Sequence, residues 1–304
     1  MGAAGLVGQN LALLFSETTQ FECVAIDKHL SNLQLLKSIN PRVTISCADL
    51  SHLGDWQSSV RGADVVVMLH AQIGGLDPDV FVQNNVTATQ HVLDAVKLYE
   101  VPFVVQISSS VVHSAAQDNY TKTKKAQEAL FRASGVTGCV LRPTLMYGWF
   151  DPKHFGWLAR FMEKVPVFPI PGDGKYMRQP LYNRDFCRAI VWCCQNRPAG
   201  KTYDLVGQEH VDYIDIIRAI RRVKKLKTPI MCTPVWLFKL LLRVYGLFTK
   251  QPPFTAAQLD SLAAGDDFTG VDIEATFGFK PTTLEDGLTQ TFCDERYARY
   301  VVER

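Results

Sequence analysis

The chain has 304 residues, of which 47% are hydrophobic and 20% charged, with a formal net charge of +2. This composition allows a sizeable buried core and excludes an intrinsically disordered chain. The small net charge argues against nucleic acid or an anionic membrane as the main partner. The length fits one large α/β domain, or such a core with a smaller lobe.

The eight cysteines form no C-x-x-C pair, and no Cys/His cluster has the spacing of a zinc site. We therefore predict no metal site, and thiols that are mostly small buried hydrophobic groups in a reducing cytoplasm. The first residues lack a basic region followed by an apolar run, so we expect no signal peptide.

The first half of the chain alternates short apolar runs with helical stretches. Behind a glycine-rich start, the pattern predicts a helix over 9–15 and strands over 23–26, 43–46, 63–69, 103–108 and 138–142. Longer helices are predicted over 80–99 and 119–134, and Gly135 ends the second. Such alternation is typical of a Rossmann-like, doubly wound parallel sheet in an α/β fold.

After Pro143 the alternation loosens, and Gly, Pro and aromatic residues dominate 147–180. Further helices are predicted over 212–225, 235–247 and 284–301. We therefore predict a core in 1–165, to which elements around 181–206 return, and a small, mostly helical lobe in 166–304.

One apolar segment, 234–248, is interrupted by Lys239 and Arg243. It is shorter than the roughly 20 residues that a membrane-spanning helix needs. We expect a helix that packs against the core or lines a substrate cleft. Contact with a membrane surface is the less favoured alternative.

Three glycines, Gly2, Gly5 and Gly8, form a G-x-x-G-x-x-G turn directly before a helix. Glycines let a backbone approach a pyrophosphate closely, while the helix N-terminus faces the negative charge. A glycine triplet alone is weak evidence, because a flexible N-terminus can contain one by chance. We predict that the turn, including Leu6 and Val7, binds a dinucleotide.

Asp27 ends the next predicted strand, 19 residues beyond Gly8. A carboxylate there can accept hydrogen bonds from both ribose hydroxyls and repels a 2′-phosphate, which favours NAD over NADP. Lys28 beside it is also predicted to contact the cofactor, and its charge weakens that preference. The alternative is that Asp27 is an ordinary turn residue at a strand end.

The glycine turn begins at Met1-Gly2, with no apolar strand before it. In a doubly wound sheet this turn follows a central strand. We therefore expect the first strand to be missing, through a truncated gene product or a misassigned start. Its absence would leave two strands unpaired in the middle of the sheet.

Tyr120 and Lys124 lie four residues apart and share a helix face. A phenol with a pKa of about 10 is a poor base at neutral pH. A lysine ammonium and a bound nicotinamide favour the phenolate, which can take the proton of a substrate hydroxyl. Serines at 108–110 follow a predicted strand at its carboxyl end, where ligands meet an open α/β sheet.

These motifs resemble those of the extended short-chain dehydrogenase/reductase family, in particular its NAD-dependent epimerase/dehydratase group, along almost the whole chain. Segment 108–113 is similar to the family's S-S-x-x-V-Y, which implies Ser109 as the catalytic serine and Ser110 as a substrate contact. The resemblance thus implies a catalytic set of Ser109, Tyr120 and Lys124, with NAD as cofactor. It also implies a homodimer.

Other segments extend the resemblance. Asp49-Leu50 resembles the family's adenine-contacting pair, and segment 141–148 resembles the L-R-P-x-x-x-Y-G stretch that passes the nicotinamide, which implies a contact from Pro143. Ala71 ends the segment corresponding to H-x-A-A, beside the cofactor. In nucleotide-sugar members, the arginine matching Arg178 holds the diphosphate, although a solvated loop charge is the alternative.

Two departures from the family pattern narrow the function. His70 stands within a changed H-x-A-A segment, where we expect a packing or cofactor-wall residue and not a catalyst. Ser109 is followed by Ser-Val, whereas the sugar 4,6-dehydratases use an Asp-Glu pair there to eliminate water. The sequence therefore favours a C4 epimerase or a 4-keto reductase of a nucleotide sugar over a dehydratase.

Two alternatives remain at this stage. The first is the same chemistry on an apolar alcohol, such as a sterol or isoprenoid, which the apolar segment 236–248 supports and Arg178 opposes. The second is a non-catalytic relative that keeps NAD for structural reasons. The complete Ser/Tyr/Lys set argues against this second alternative, while the missing first strand favours it.

Overall fold

The computed structural model describes residues 1–18, 21–240 and 268–303. The helices with defined bounds in these ranges are α1 (Leu6–Glu17), α2 (Leu30–Ile39), α3 (Pro78–Phe81), α4 (Ala88–Leu98), α5 (Asn119–Ala133), α6 (Phe155–Lys164), α7 (Asn183–Asn196), α8 (Tyr213–Val223), α9 (Ile273–Phe277) and α10 (Leu284–Cys293). No helix in these ranges has both the length and the apolar character needed to cross a membrane.

The strands are short, and most of them pair in parallel. They are β1 (Val24–Asp27), β2 (Thr44–Cys47), β3 (Val65–Met68), β4 (Phe103–Ile107), β5 (Gly138–Pro143), β6 (Met146–Tyr147), β7 (Phe168–Pro171), β8 (Met177–Arg178), β9 (Leu181–Tyr182), β10 (Thr202–Leu205), β11 (Val211–Asp212) and β12 (Ile230–Thr233). The largest sheet has the parallel order β10-β5-β4-β3, and β1 and β2 form a second parallel pair. The α/β prediction is confirmed.

Helices cover both faces of the main sheet, because successive side chains of a strand point to opposite faces. On β4, Phe103 and Val105 pack with residues of α1 and α7. Val104 lies between them in sequence and packs on the other face, with Val92 and Val96 of α4. The near-continuous apolar strands follow from this two-sided burial.

No described strand lies between β1 and β3. The first residues of the chain bridge the two sheets instead: the Met1 amino group donates to the Val67 carbonyl oxygen at 3.0 Å, and Leu69 N donates to Met1 O at 2.9 Å. On the other side, Gly2 N donates to Ile26 O at 2.8 Å. The expected break in the middle of the sheet is therefore present, and it is closed only at the carboxyl ends of the strands.

Some predicted helices differ from those observed. The helix predicted over 80–99 is interrupted by a π-helical turn over Val82–Thr87, between α3 and α4. The helix predicted over 284–301 was wrong beyond Cys293. The chain turns at Asp294 so that Tyr297 can pack against Trp149, with ring centroids 4.8 Å apart.

The pattern did not predict α2, α6 or α7, and the helix predicted over 235–247 lies outside the described residues after 240. The small pairs β6–β9, β7–β12 and β8–β11 follow the main sheet. Around them, α6, α8 and α10 enclose a second core that includes Tyr147, Ile220 and Leu288. The boundary between core and lobe stays a prediction.

Candidate active site

Helix α5 is fixed at both ends, and this fixes the direction of Tyr120. At its N-terminus, the Asp118 side chain accepts hydrogen bonds from Thr121 N at 2.9 Å and Thr121 Oγ1 at 2.8 Å. Such a cap satisfies donors that the first helical turn leaves open. Burial would raise the pKa of Asp118, but these hydrogen bonds lower it overall.

Further along α5, Glu128 anchors the helix to the sheet. Its carboxylate accepts a fork of hydrogen bonds from Arg142 on β5, one of them 3.0 Å from Nε to Oε2, and a second pair from Arg132. Burial alone would raise the pKa of Glu128, but hydrogen bonds, chiefly those from Arg142 and Arg132, hold it at about 2. A fork of this kind constrains the geometry of α5 strongly.

Ser109 and Tyr120 meet at the carboxyl end of β4. Ser109 is buried, and its Oγ accepts a long hydrogen bond from Val111 N at 3.4 Å. Burial raises the pKa of Tyr120, and the neighbouring Ser109 hydroxyl offsets this increase in part. Ser110 is buried beside this pair, at the start of a 3-10 turn.

Lys124 lies one turn after Tyr120, and only 1% of its side chain is exposed. Its Nζ donates to the Ile107 carbonyl oxygen at 2.8 Å and to Gln127 Oε1. Burial lowers the pKa of Lys124 to about 7, although the charge of Glu128 opposes the shift. The amine is thus held directly beneath the end of β4, beside the Ser109 loop.

The glycine turn is shaped by close backbone contacts. A side chain at Gly2, whose φ is +75°, would overlap the His70 backbone, and one at Gly8 would overlap Ala3. Gly5 instead faces open space, and no side chain caps α1 there. An uncapped helix N-terminus beside an open, side-chain-free position fits the pyrophosphate of a dinucleotide. Leu6 and Val7, in the first turn of α1, are half-buried beside this opening.

Asp27 ends β1 and holds the glycine turn in place. Its Oδ2 accepts from Ala4 N at 2.9 Å, and its Oδ1 accepts from His29 N at 3.0 Å. Each oxygen keeps one lone pair for a further donor, such as a ribose hydroxyl. Lys28 donates to Asn84 Oδ1 at 2.7 Å and lies 3.9 Å from the Asp49 carboxylate.

Asp49 lines a cavity of about 440 Å³ next to β2. The cavity walls are residues 46–49, 52–56 and 59. Leu50 is buried behind it. This cavity lies beyond Asp27 along the same sheet edge and has room for the adenine end of a dinucleotide; the predicted adenine contact of Asp49-Leu50 stays a prediction.

The remaining predicted cofactor and substrate contacts lie on three separate elements. Ala71 is half-buried after β3, and Pro143 is buried at the end of β5. Arg178 is half-buried on β8, in register with Val211 of β11. Its role in holding a diphosphate stays a prediction.

Sequence reasoning missed a buried polar network behind Lys124. Gln127 is fully buried, and its Nε2 donates to Thr89 Oγ1 at 2.8 Å. His70 Nε2 lies 3.0 Å from the same oxygen. The only sequence signal was the position of Gln127, three residues after Lys124 on the same helix face.

Solved structures of several enzymes share the fold, among them an epimerase and a dehydratase. The chain has a TM-score of 0.73 and 22% identity to UDP-glucuronic acid 4-epimerase from Bacillus cereus in complex with NAD, with 95% of each chain covered. For dTDP-glucose 4,6-dehydratase from Streptomyces venezuelae with NAD bound, the TM-score is 0.73 at 19% identity, covering 97% of this chain and 96% of that one.

Curated relatives match at the sequence level. The chain is 25% identical over 183 residues to UDP-glucose 4-epimerase of Vibrio cholerae, covering 58% of this chain and 53% of the relative. It is 24% identical over 196 residues to short-chain dehydrogenase/reductase family 42E member 1 of Bos taurus, covering 53% and 50%. The chain therefore spans about half the length of these relatives.

A family model matches the N-terminal part of the chain. The model for the NAD dependent epimerase/dehydratase family matches residues 1–206, about two thirds of the chain. This range contains the glycine turn, Ser109, Tyr120 and Lys124. The chain belongs to the NAD-dependent epimerase/dehydratase family, and NAD is its cofactor.

Proposed function

We propose that this protein is an NAD-dependent enzyme that acts on a secondary alcohol of a nucleotide sugar, as a C4 epimerase or a 4-keto reductase. The observation that carries the proposal is the placement of the Ser109 and Tyr120 side chains beside each other at the carboxyl end of β4, with the buried Lys124 amine one helical turn away. These three side chains supply an acid/base and a means of orienting a reacting hydroxyl.

NAD, when bound, supplies the hydride acceptor and donor for the alcohol carbon. Tyr120 takes the proton of the sugar hydroxyl in the oxidising direction and returns it in the reducing direction. Ser109 holds the reacting oxygen against the phenol. Because burial raises the pKa of Tyr120, the phenolate needs a nearby positive charge, which the Lys124 ammonium supplies when it is protonated.

The substrate class is supported by the comparisons. A Vibrio cholerae relative is named a UDP-glucose 4-epimerase, and a Bacillus cereus protein of the same fold is named a UDP-glucuronic acid 4-epimerase. Arg178 supplies a guanidinium of the kind that binds a diphosphate bidentately. An epimerase keeps its NAD between half-reactions, whereas a reductase exchanges it.

The test uses the full chain with NAD and a panel of UDP- and GDP-sugars, and separately with NADH and 4-keto nucleotide sugars, with products separated by chromatography. We expect C4 interconversion or keto reduction of at least one sugar, and a loss of turnover of about 100-fold or more in Tyr120→Phe. Tyr99→Phe is the matched control, because it removes a phenol at the far end of α4, where Tyr99 packs under Arg61.

Two outcomes would contradict the proposal. If a sterol alcohol gave NADH and no nucleotide sugar reacted, the substrate would be an apolar alcohol and not a nucleotide sugar. Equal rates in wild type and Tyr120→Phe would show that Tyr120 is not the acid/base of the reaction.

A further inference from the structure

The Lys124 ammonium has more donors than the protein has acceptors for it. An ammonium carries three N–H groups, and the described residues offer two acceptors, Ile107 O and Gln127 Oε1. The carboxylate of Glu128, the next residue after Gln127, is occupied by Arg142 and Arg132. A neutral amine, with two N–H groups, would match the two acceptors completely.

The Gln127 amide is held in one orientation. Its Nε2 donates to Thr89 Oγ1, and Thr89 Oγ1 donates in turn to the Asn85 carbonyl oxygen at 2.7 Å. Thr89 therefore has its hydroxyl proton committed and accepts from Gln127. A flipped amide would place its NH₂ group against Lys124 and its oxygen against a hydroxyl with no proton to give.

His70 strengthens this orientation. Because the Thr89 proton goes to Asn85, we assign the proton of the His70 ring to Nε2, which donates to Thr89 Oγ1 at 3.0 Å. The Nδ1 atom of His70 is then a buried acceptor, and it has no hydrogen-bond partner among the described residues. An unpaired buried acceptor is tolerated more readily than an unpaired donor.

We propose that Gln127 is a positioning residue that gives the Lys124 ammonium the second of its two protein acceptors, so that an oxygen of bound NAD completes its hydrogen bonding and NAD binding draws a proton onto Lys124. An amide suits this role because it orients the amine without neutralising it. A carboxylate at the same position would hold the proton on Lys124 whether or not NAD is bound. The inference rests on Lys124 facing the cofactor, as in the proposed function.

The other side chains that face Lys124 do not change their charge near neutral pH. Burial lowers the pKa of His70 to about 3, so its ring stays neutral, and Glu128 stays charged because its pKa is about 2. Burial keeps the pKa of Tyr120 above its usual value. The Met1 amino group, at the end of β3, also has a pKa lowered by burial.

Because burial brings the pKa of Lys124 to about 7, an added acceptor from NAD raises that pKa through the physiological range. NAD affinity is then highest below pH 7 and falls above it, by up to about tenfold per pH unit. The number of protons taken up is the direct readout, and it does not depend on catalysis.

The experiment is titration calorimetry of NAD into the full chain at pH 7.5, in two buffers with different ionisation enthalpies. We expect uptake of roughly 0.8 proton per NAD in the wild type, the fraction of Lys124 that is neutral at that pH for a pKa of about 7. In Gln127→Glu, uptake should fall to near zero beyond the Met1 contribution. In Gln127→Leu, which keeps the volume but has no acceptor, uptake should persist and its pH midpoint should move lower.

Further variants keep the result interpretable. Lys124→Met should abolish the uptake seen in the wild type. Thr89→Val removes the hydrogen bond that orients the Gln127 amide, so it should move the pH midpoint of uptake in the same direction as Gln127→Leu. This variant tests the inference if Gln127→Glu does not fold. Equal proton uptake in wild type, Gln127→Glu and Lys124→Met would overturn the inference. Since no sugar is present, failure of the proposed substrate leaves this measurement intact.

Discussion

Lys124 and Glu128 are neighbours on α5, and burial acts on them with different results. Glu128 keeps its charge, because Arg142 and Arg132 donate to both of its oxygens. Lys124 has an amide and a carbonyl as partners, and its pKa falls to about 7. The Glu128 carboxylate, which is paired with two arginines, therefore anchors the helix. The protonation of Lys124, which has only neutral partners, depends on pH and on any group that binds beside it.

This difference predicts a pH dependence of stability. The pKa of Lys124 is about 7 in the folded chain and about 10.4 when unfolded, so the unfolded state binds more protons in between. The free energy of unfolding should therefore gain up to about 1.4 kcal/mol per pH unit above pH 7 from this residue. Urea unfolding of wild type and Lys124→Met at pH 7.0 and 8.5 measures the gain.

Lys122→Met is the matched control, because Lys122 lies on the same helix with an exposed side chain. The wild type and this control should gain stability alike between the two pH values, and Lys124→Met should gain less. Identical pH dependence in all three proteins would show that Lys124 is not buried as the structure has it.

At the scale of elements, α10 shows packing that overrides helix propensity. Gly287 lies inside this helix, and a β-carbon there would overlap the hydroxyl of Tyr147, whose ring is 1% exposed. Replacing Gly by Ala inside a helix gains about 1 kcal/mol from propensity, whereas overpacking costs about 1–3 kcal/mol. We expect Gly287→Ala to lower the free energy of unfolding by about 1 kcal/mol.

Thr289→Ala on the exposed side of α10 is the comparison, because it changes propensity without meeting Tyr147. It should alter the unfolding free energy by about 0.5 kcal/mol or less. A Gly287→Ala protein that is more stable than wild type would show that the Tyr147 ring can move aside.

Elements set by local pattern were predictable, and those set by distant contacts were not. The apolar runs of β3, β4 and β5, and the Asp118 cap with its helix, could be predicted from residues within a few positions of each other. The position where α10 ends depends on Tyr297 reaching Trp149, nearly 150 residues away. The same holds at the site: Ser109, Tyr120 and Lys124 follow from motif spacing, whereas the Gln127–Thr89–His70 network exists only after three elements have packed.

At the scale of the molecule, the interruption between β1 and β3 should weaken one part of the sheet. The β4 and β5 strands have partners on both sides, whereas β1 pairs along its length only with β2. We expect amides of Val24–Asp27 to exchange with deuterium at least about tenfold faster than those of Phe103–Ile107, because local opening needs less free energy there.

Hydrogen-exchange mass spectrometry of the full chain, with and without NAD, would measure this difference. Added NAD should reduce the difference in exchange rate between the two segments. The cofactor contacts proposed for Asp27 and the glycine turn would link the β1 and β3 sides of the sheet. Equal protection of the two segments without NAD would mean that the hydrogen bonds of Met1 and Gly2 to β1 and β3 are enough to make the sheet continuous.

The bridge made by Met1 has a practical consequence for handling the protein. The Met1 amino group is hydrogen-bonded to Val67 O inside the molecule, so a purification tag joined to it would start between β1 and β3 and not in solvent. Linkage would also turn this buried amine, whose pKa is lowered by burial, into an amide. Glu303, the last residue that the structure describes, has an exposed side chain, so a fusion partner placed beyond it would avoid the gap between β1 and β3.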